Sequence, residues 1–165
     1  MMKVHLLLAA VLLGSTFARA QVVLPDREGA PGLHANVFGL GFAASPTTGI
    51  GLSFRHHLPS TMSYQLTGGI IKVDDRLSYA LGAEVQFDLV RGRGSRFFVG
   101  TGAGYYYSGT SSHNDMEGPG RFGIGIGGEF AAGPGLHVSA SLMFTYISDD
   151  TVLPLPEIGI YYYFY

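Results

Sequence analysis

The 165-residue chain has no cysteine and no tryptophan, and only 13% of its residues are charged. Without cysteine there can be no disulfide framework, no thiolate nucleophile and no cysteine-based zinc site. With 10 Lys and Arg against 12 Asp and Glu, there is no basic surplus of the kind a nucleic-acid surface needs. No apolar run approaches the roughly 20 residues that a membrane-spanning helix requires. What the chain has in quantity is 25 Gly, 11 Phe and 10 Tyr. For one domain's worth of chain, that is an unusual emphasis on glycine and aromatics.

The N-terminus carries a targeting pattern. Lys3 is followed by the apolar core Leu6–Leu13 and by Ala18-Arg19-Ala20, a small-residue cleavage site. The expected division is a secretory signal peptide over 1–20 and a single β-barrel domain over 21–165. Cleavage would remove Lys3 and Arg19, making the remaining chain more acidic. No Cys follows the apolar core, so lipoprotein anchoring is excluded.

The most regular stretch of the remainder is Arg76–Leu89. Leu77, Tyr79, Leu81, Ala83, Val85, Phe87 and Leu89 alternate with Ser78, Ala80, Gly82, Glu84, Gln86 and Asp88. A period of two is the mark of a strand with one apolar and one polar face. Seven further runs repeat the pattern: Gly32–Phe42, Gly49–His57, Met62–Lys72, Arg96–Tyr107, Arg121–Phe130, Leu136–Ile147 and Glu157–Tyr165. Turn signals separate them, among them Ser45-Pro46, Pro59-Ser60, Asp74-Asp75, Gly92-Arg93-Gly94 and Gly133-Pro134-Gly135. Ser108–Gly120 and Ser148–Pro156 read as longer links without strand character.

Eight strands with an apolar outer face and a polar inner face predict an all-β, eight-stranded antiparallel up-and-down transmembrane barrel, with the first and last strands paired. An even count puts both termini on one side, expected to be the periplasm. The short links at Leu58–Thr61, Val90–Ser95 and Ala131–Gly135 share that side. Ser108–Gly120, with His113, Asn114, Asp115 and Glu117, then becomes an extracellular loop.

Inside such a barrel, Arg55, Glu84, Asp88, Arg96, Arg121 and Glu129 would point into a narrow, poorly hydrated space. Unpaired charge is costly there, so these residues are expected to form a salt-bridge network. Gly100, Gly102, Gly104, Gly123, Gly125 and Gly127 would leave a side-chain-free patch on two neighbouring strands. Phe98, Tyr106 and either Tyr161 or Tyr163 are expected to fill it; the alternative is a pocket for a small apolar ligand. The facing of the last strand is open, since either Ile158, Ile160, Tyr162 and Phe164 or Tyr161, Tyr163 and Tyr165 could face outward.

Other motifs carry less. Gly123-x-Gly125-x-x-Gly128 matches a nucleotide-binding fingerprint in letters, but no helix opens after it. His56 and His57 point to opposite faces and cannot share a metal. The acidic links Asp74-Asp75, Asp115-x-Glu117 and Asp149-Asp150 read as solvated charge, with calcium or magnesium bridging to lipid phosphates as the minor reading. No catalytic, cofactor or metal residue is assigned.

The signal Met1–Ala20, the alternating runs, the clusters Tyr105-Tyr106-Tyr107 and Tyr161-Tyr162-Tyr163, and the terminal Phe164-Tyr165 together resemble the small eight-stranded outer-membrane barrels of the OmpA/OmpX-like type. The resemblance implies residence in the bacterial outer membrane, no enzymatic activity, and a structural, surface-interaction or resistance role with the lumen plugged by side chains. It further implies outer-membrane lipid and lipopolysaccharide as surroundings, the barrel assembly machinery as a partner, and a surface partner of unknown kind. Such barrels usually end on Phe, where this chain has Tyr165. Two alternatives come from other classes. His137-x-Ser139 with Glu157 is faintly similar to the lipid A deacylase barrels, although Ala140 stands where those have Asn. A secreted barrel holding a small apolar ligand is the other.

Overall fold

The computed structural model describes residues 22–23, 36–110, 113–116, 118–147 and 151–164. The expected signal segment 1–20 and the terminal Tyr165 lie outside them. Eight long strands make up the domain: β1 Val37–Ser45, β2 Gly49–His57, β3 Met62–Val73, β4 Arg76–Arg91, β5 Ser95–Thr110, β6 Gly120–Ala131, β7 Leu136–Ile147 and β8 Thr151–Phe164. Each pairs antiparallel with its neighbours in sequence, and β8 pairs with β1 from Ile158↔Ala44 to Phe164↔Phe38. The sheet is thus a closed barrel without a free edge along its middle, as the alternation predicts. Two short segments add to it: Val22–Val23 pairs parallel with Val90–Arg91, and His113–Asn114 folds back on Gly109–Thr110.

Burial is inverted relative to a soluble domain. Phe42, Leu52, Ile70, Leu81, Phe122, Ile124 and Phe144 are exposed on the outer face, whereas Arg55, Gln65, Glu84, Arg96, Glu129 and His137 are buried inside. The alternation of β4 holds as far as Asp88, where a register shift between Asp88 and Val90 breaks it. The facing of β8 resolves cleanly. Tyr161 and Tyr163 are buried, while Ile158, Ile160, Tyr162 and Phe164 are exposed outside.

Two expected links differ from the prediction. β8 begins at Thr151, so Pro154 and Pro156 lie within a strand although proline cannot donate to a ladder. They are tolerated because the β8–β1 ladder starts only at Ile158; above it β8 has a partner on the β7 side alone. Likewise β5 continues through Ser108 to Thr110, into the segment whose sequence predicts a loop. There the ladder to β4 overrides weak alternation, with Ser78 and Ser108 hydroxyls 2.9 Å apart and the Tyr79 and Tyr107 rings stacked at 5.0 Å.

Candidate functional site

The lumen holds two layers of different make-up. One lies towards the barrel end where β1 starts and β8 finishes, the terminal end, and its centre is Glu129 on β6. Arg96 is the cross-strand partner of Glu129 on β5 and reaches Oε2 through Nη2 at 2.7 Å and Nε at 2.8 Å. Arg55, on β2 across the lumen, donates from Nη1 to the same oxygen at 2.8 Å. Tyr163 on β8 donates its hydroxyl to Oε1 at 2.7 Å, leaving its own oxygen to accept from His57 Nε2 at 2.7 Å. His137 Nδ1 stands 3.3 Å from Oε1.

The remaining donors of the two arginines are also placed. Arg96 Nη1 reaches Asp88 Oδ1 at 2.8 Å and Ser63 at 2.7 Å, and its Nη2 meets Gln86. Arg55 Nε donates to Gln65 at 3.1 Å, and its guanidinium lies 3.9 Å above the Tyr161 ring. Arg91, partly exposed at the end of β4, closes the set on Asp88 Oδ2 through Nε at 2.7 Å. A dry interior strengthens each of these bonds and raises the cost of losing any one.

Of the charges placed inside by sequence, Arg55, Asp88, Arg96 and Glu129 are brought together. Glu84 and Arg121 are not. Glu84 accepts from Gln86 Nε2 at 2.9 Å and borders a space of about 10 Å³ shared with Arg55 and Glu157, room for about one water. Arg121 sits at the other end, donating to the Pro46 carbonyl at 2.8 Å over the Tyr106 ring.

That other end forms the second layer, and it is built from backbone. The β1–β2 turn bends into the barrel, so Ser45, Thr47 and Thr48 are buried. Ser45 Oγ is bonded to Glu157 and accepts from the Thr48 amide at 2.8 Å, while the Thr47 and Thr145 hydroxyls meet at 2.5 Å. Tyr106 donates to the Ser45 carbonyl.

The glycine patch is the socket for this turn. A methyl group added at Gly104 would stand 2.3 Å from the Thr47 carbonyl oxygen, and one at Gly82 would stand 2.2 Å from that of Thr48. Gly102 and Gly123 likewise face the Thr48 and Thr47 side chains. Filling by Phe98 holds at Gly127, where its ring would lie 2.6 Å from an added methyl. At Gly102, Gly104 and Gly123 the expected aromatic filling is replaced by the turn. Side-chain alternation gives no signal of this, because a turn that bends inward is a non-local event. The only hints in sequence are the inward glycines themselves and the small polar residues Ser45, Thr47 and Thr48.

The groups considered for nucleophilic chemistry have other partners. Ser139 accepts from Arg55 Nη2 at 3.3 Å, His137 faces Glu129, and Glu157 is bonded by Ser45 and by Ser141 at 3.1 Å. Among the described residues no group of three or more His, Asp or Glu is placed to hold a metal.

At the distal rim, His113 and Asn114 pair with Thr110 and Gly109, and exposed Asp115 meets Arg76 at 2.9 Å. Glu117 lies outside the described residues. Tyr79, Tyr105 and Tyr107 gather beside this hairpin, with ring centroids 6.3 Å and 5.0 Å from that of Tyr79.

No protein-family model matches the chain, and neither does any curated protein. Among solved structures, the N-terminal β-barrel domain of Pseudomonas aeruginosa OprF is similar at 19% identity and a TM-score of 0.52, covering 79% of this chain and 98% of that one. Yersinia pestis outer membrane protein Ail, in a phospholipid bilayer nanodisc, aligns at 17% identity and a TM-score of 0.44 over 78% of this chain and 97% of that one. The barrel read from the alternating runs is therefore, in fold, a closed eight-stranded barrel of the small outer-membrane type.

Proposed function

We propose that this protein is a non-enzymatic barrel of the bacterial outer membrane, exported by its signal peptide, closed to solute flow, and serving a structural, surface-interaction or resistance role. The observation that carries this reading is the inverted burial: a charged, hydrogen-bonded interior inside a wall of exposed Phe, Leu and Ile. Such a surface is unfavourable in water and favourable in lipid, and closure removes the unpaired backbone that lipid would punish. In this orientation the terminal end faces the periplasm, where the barrel assembly machinery acts, and the hairpins of Asp74-Asp75 and His113–Asp115 face outward among lipopolysaccharide.

The two lumen layers support closure. The space beside Glu84 is too small for an apolar ligand and is lined by polar groups, which weighs against a secreted carrier. The separate commitments of His137, Ser139 and Glu157 weigh against a deacylase.

Cell fractionation combined with gel mobility of unboiled and boiled samples tests the reading. Recovery in the outer membrane with a heat-dependent mobility shift is expected; recovery in the soluble periplasm with no shift would contradict it. Orientation has its own test. An epitope inserted near His113 should be labelled on intact cells, and one at Gly133 only after the outer membrane is opened.

A further inference from the structure

Where the tip of the β1–β2 hairpin bends into the lumen, it leaves a dent in the outer wall. The β2–β3 ladder stops at Leu52↔Gly68, and β3 continues from Gly69 with no partner on that side. Gly49, the first residue of β2, lies against Ala80 on the inner face of β4, where an added methyl would be 3.3 Å from its Cβ. Outside, the step leaves an apolar groove of about 540 Å³ between Phe42, Ile50, Leu52, Ile70 and Leu81. Its floor is the bare backbone of Gly68 and Gly69. A second groove of about 320 Å³ shares Leu52, Gly68 and Leu81 and runs on past Leu40 and Phe54.

Together the two form one elongated trench along the β2–β3 seam, from the rim towards the middle of the wall. Its open and predominantly apolar lining, with Ser53 and Thr67 as the polar members, suits a flexible hydrocarbon chain better than a polar ligand. A dent of this size on a lipid-facing wall forfeits contacts if it stays empty. Lys72 is exposed on β3, two residues beyond the lining residue Ile70 and on the same face of the strand. Asp74 and Asp75 lie further out, at the hairpin tip.

We propose that this trench seats one acyl chain of a lipopolysaccharide molecule, with the Lys72 ammonium on its headgroup phosphate. The proposal rests on the outer-membrane reading above. Apolar burial would hold the chain, and charge would select the anionic outer-leaflet lipid over a zwitterionic one.

The test places a photoreactive p-benzoylphenylalanine at Phe42, inside the trench, or at Phe122, exposed in the outer part of β6. The protein is reconstituted in phosphatidylcholine vesicles containing lipopolysaccharide. Adducts with lipopolysaccharide at Phe42 should exceed those at Phe122 about tenfold, the ratio given by about 1.4 kcal/mol of preference. Lys72→Gln should lower the lipopolysaccharide adduct at Phe42 and spare the phosphatidylcholine adduct, with Lys72→Arg restoring it. Gly68→Leu, which fills the trench, should lower both. Equal lipopolysaccharide yields at the two positions, or a yield at Phe42 indifferent to Lys72→Gln, would overturn the proposal and leave the membrane reading intact. Absence of any lipid adduct at either position, in protein that does not float with the vesicles, would overturn both.

Discussion

The two halves of the lumen are closed by different materials. Towards the terminal end, the space is filled by side chains from seven strands, β2 to β8, focused on the Glu129 carboxylate between Arg55 and Arg96. Towards the distal end it is filled by four residues of backbone, Ser45 to Thr48, seated on glycines. The first solution concentrates energy in a few buried ionic bonds; the second spreads it over close packing and several neutral hydrogen bonds. A buried ion pair is expensive to break from one side, because the partner left behind remains charged and dry. A seated turn is sensitive to volume, because its socket has no room for even a methyl group.

The largest effect should therefore come from the charged layer. Glu129→Ala leaves two buried guanidinium groups without their shared carboxylate and should cost about 3–5 kcal/mol, read by urea unfolding in lipid vesicles. Asp88→Ala should cost less, since Arg91 is partly exposed and Arg96 keeps Glu129. If Glu129→Ala were nearly neutral, the ionic layer would not be the main support of that half.

The outer face calibrates both halves. Ala83 is exposed between Leu66 and Ala103, while the next residue, Glu84, is buried in the lumen. Ala83→Arg near the membrane midplane should cost about 2–4 kcal/mol, whereas Glu84→Gln should still assemble. Equal tolerance at 83 and 84 in a bilayer refolding assay would show that the wall does not face lipid.

The distal layer responds to size. Gly104→Ala drives a methyl group at the Thr47 carbonyl and should cost about 1–3 kcal/mol by overpacking. Gly120→Ala meets nothing within 4 Å and should be neutral, so the pair separates packing from any general glycine effect. Thermal unfolding followed by gel mobility reads both. The smallest effect belongs to the rim: Arg76 and Asp115 form an exposed ion pair, for which a double-mutant cycle should give about 0.2–1 kcal/mol.

The same contrast explains what was legible in the sequence. Strand count, pairing order and inner facing follow from a period of two, and so do the inward positions of Arg55, Asp88, Arg96 and Glu129. Their convergence on one carboxylate does not, because the stagger between strands decides which inward residues meet across the lumen. Glu84 and Arg121 share the same parity yet lie at other depths. Tyr163 and His57 complete the charged layer. His57 could be placed inside by alternation, but three consecutive tyrosines at 161–163 conceal which face is which. Pro154 and Pro156 misled the reading of β8, since a proline rule written for paired strands does not apply where one neighbour is missing. The inward turn was the hardest to foresee. Ser45-Pro46-Thr47-Thr48 has ordinary turn chemistry, and only the glycines opposite, distant in sequence, show that it has somewhere to go.

The seating of that turn is most directly tested by a disulfide, which the cysteine-free chain makes unambiguous. Thr47 and Thr145 hydroxyls lie 2.5 Å apart in the lumen, although their residues are 98 positions apart in sequence. In folded protein in lipid vesicles, the Thr47→Cys, Thr145→Cys double variant should oxidise to an intramolecular disulfide under mild conditions. Thr47→Cys alone should resist a membrane-impermeant maleimide. Two free thiols after oxidation, with rapid labelling at position 47, would place the turn outside the barrel and contradict the two-layer lumen.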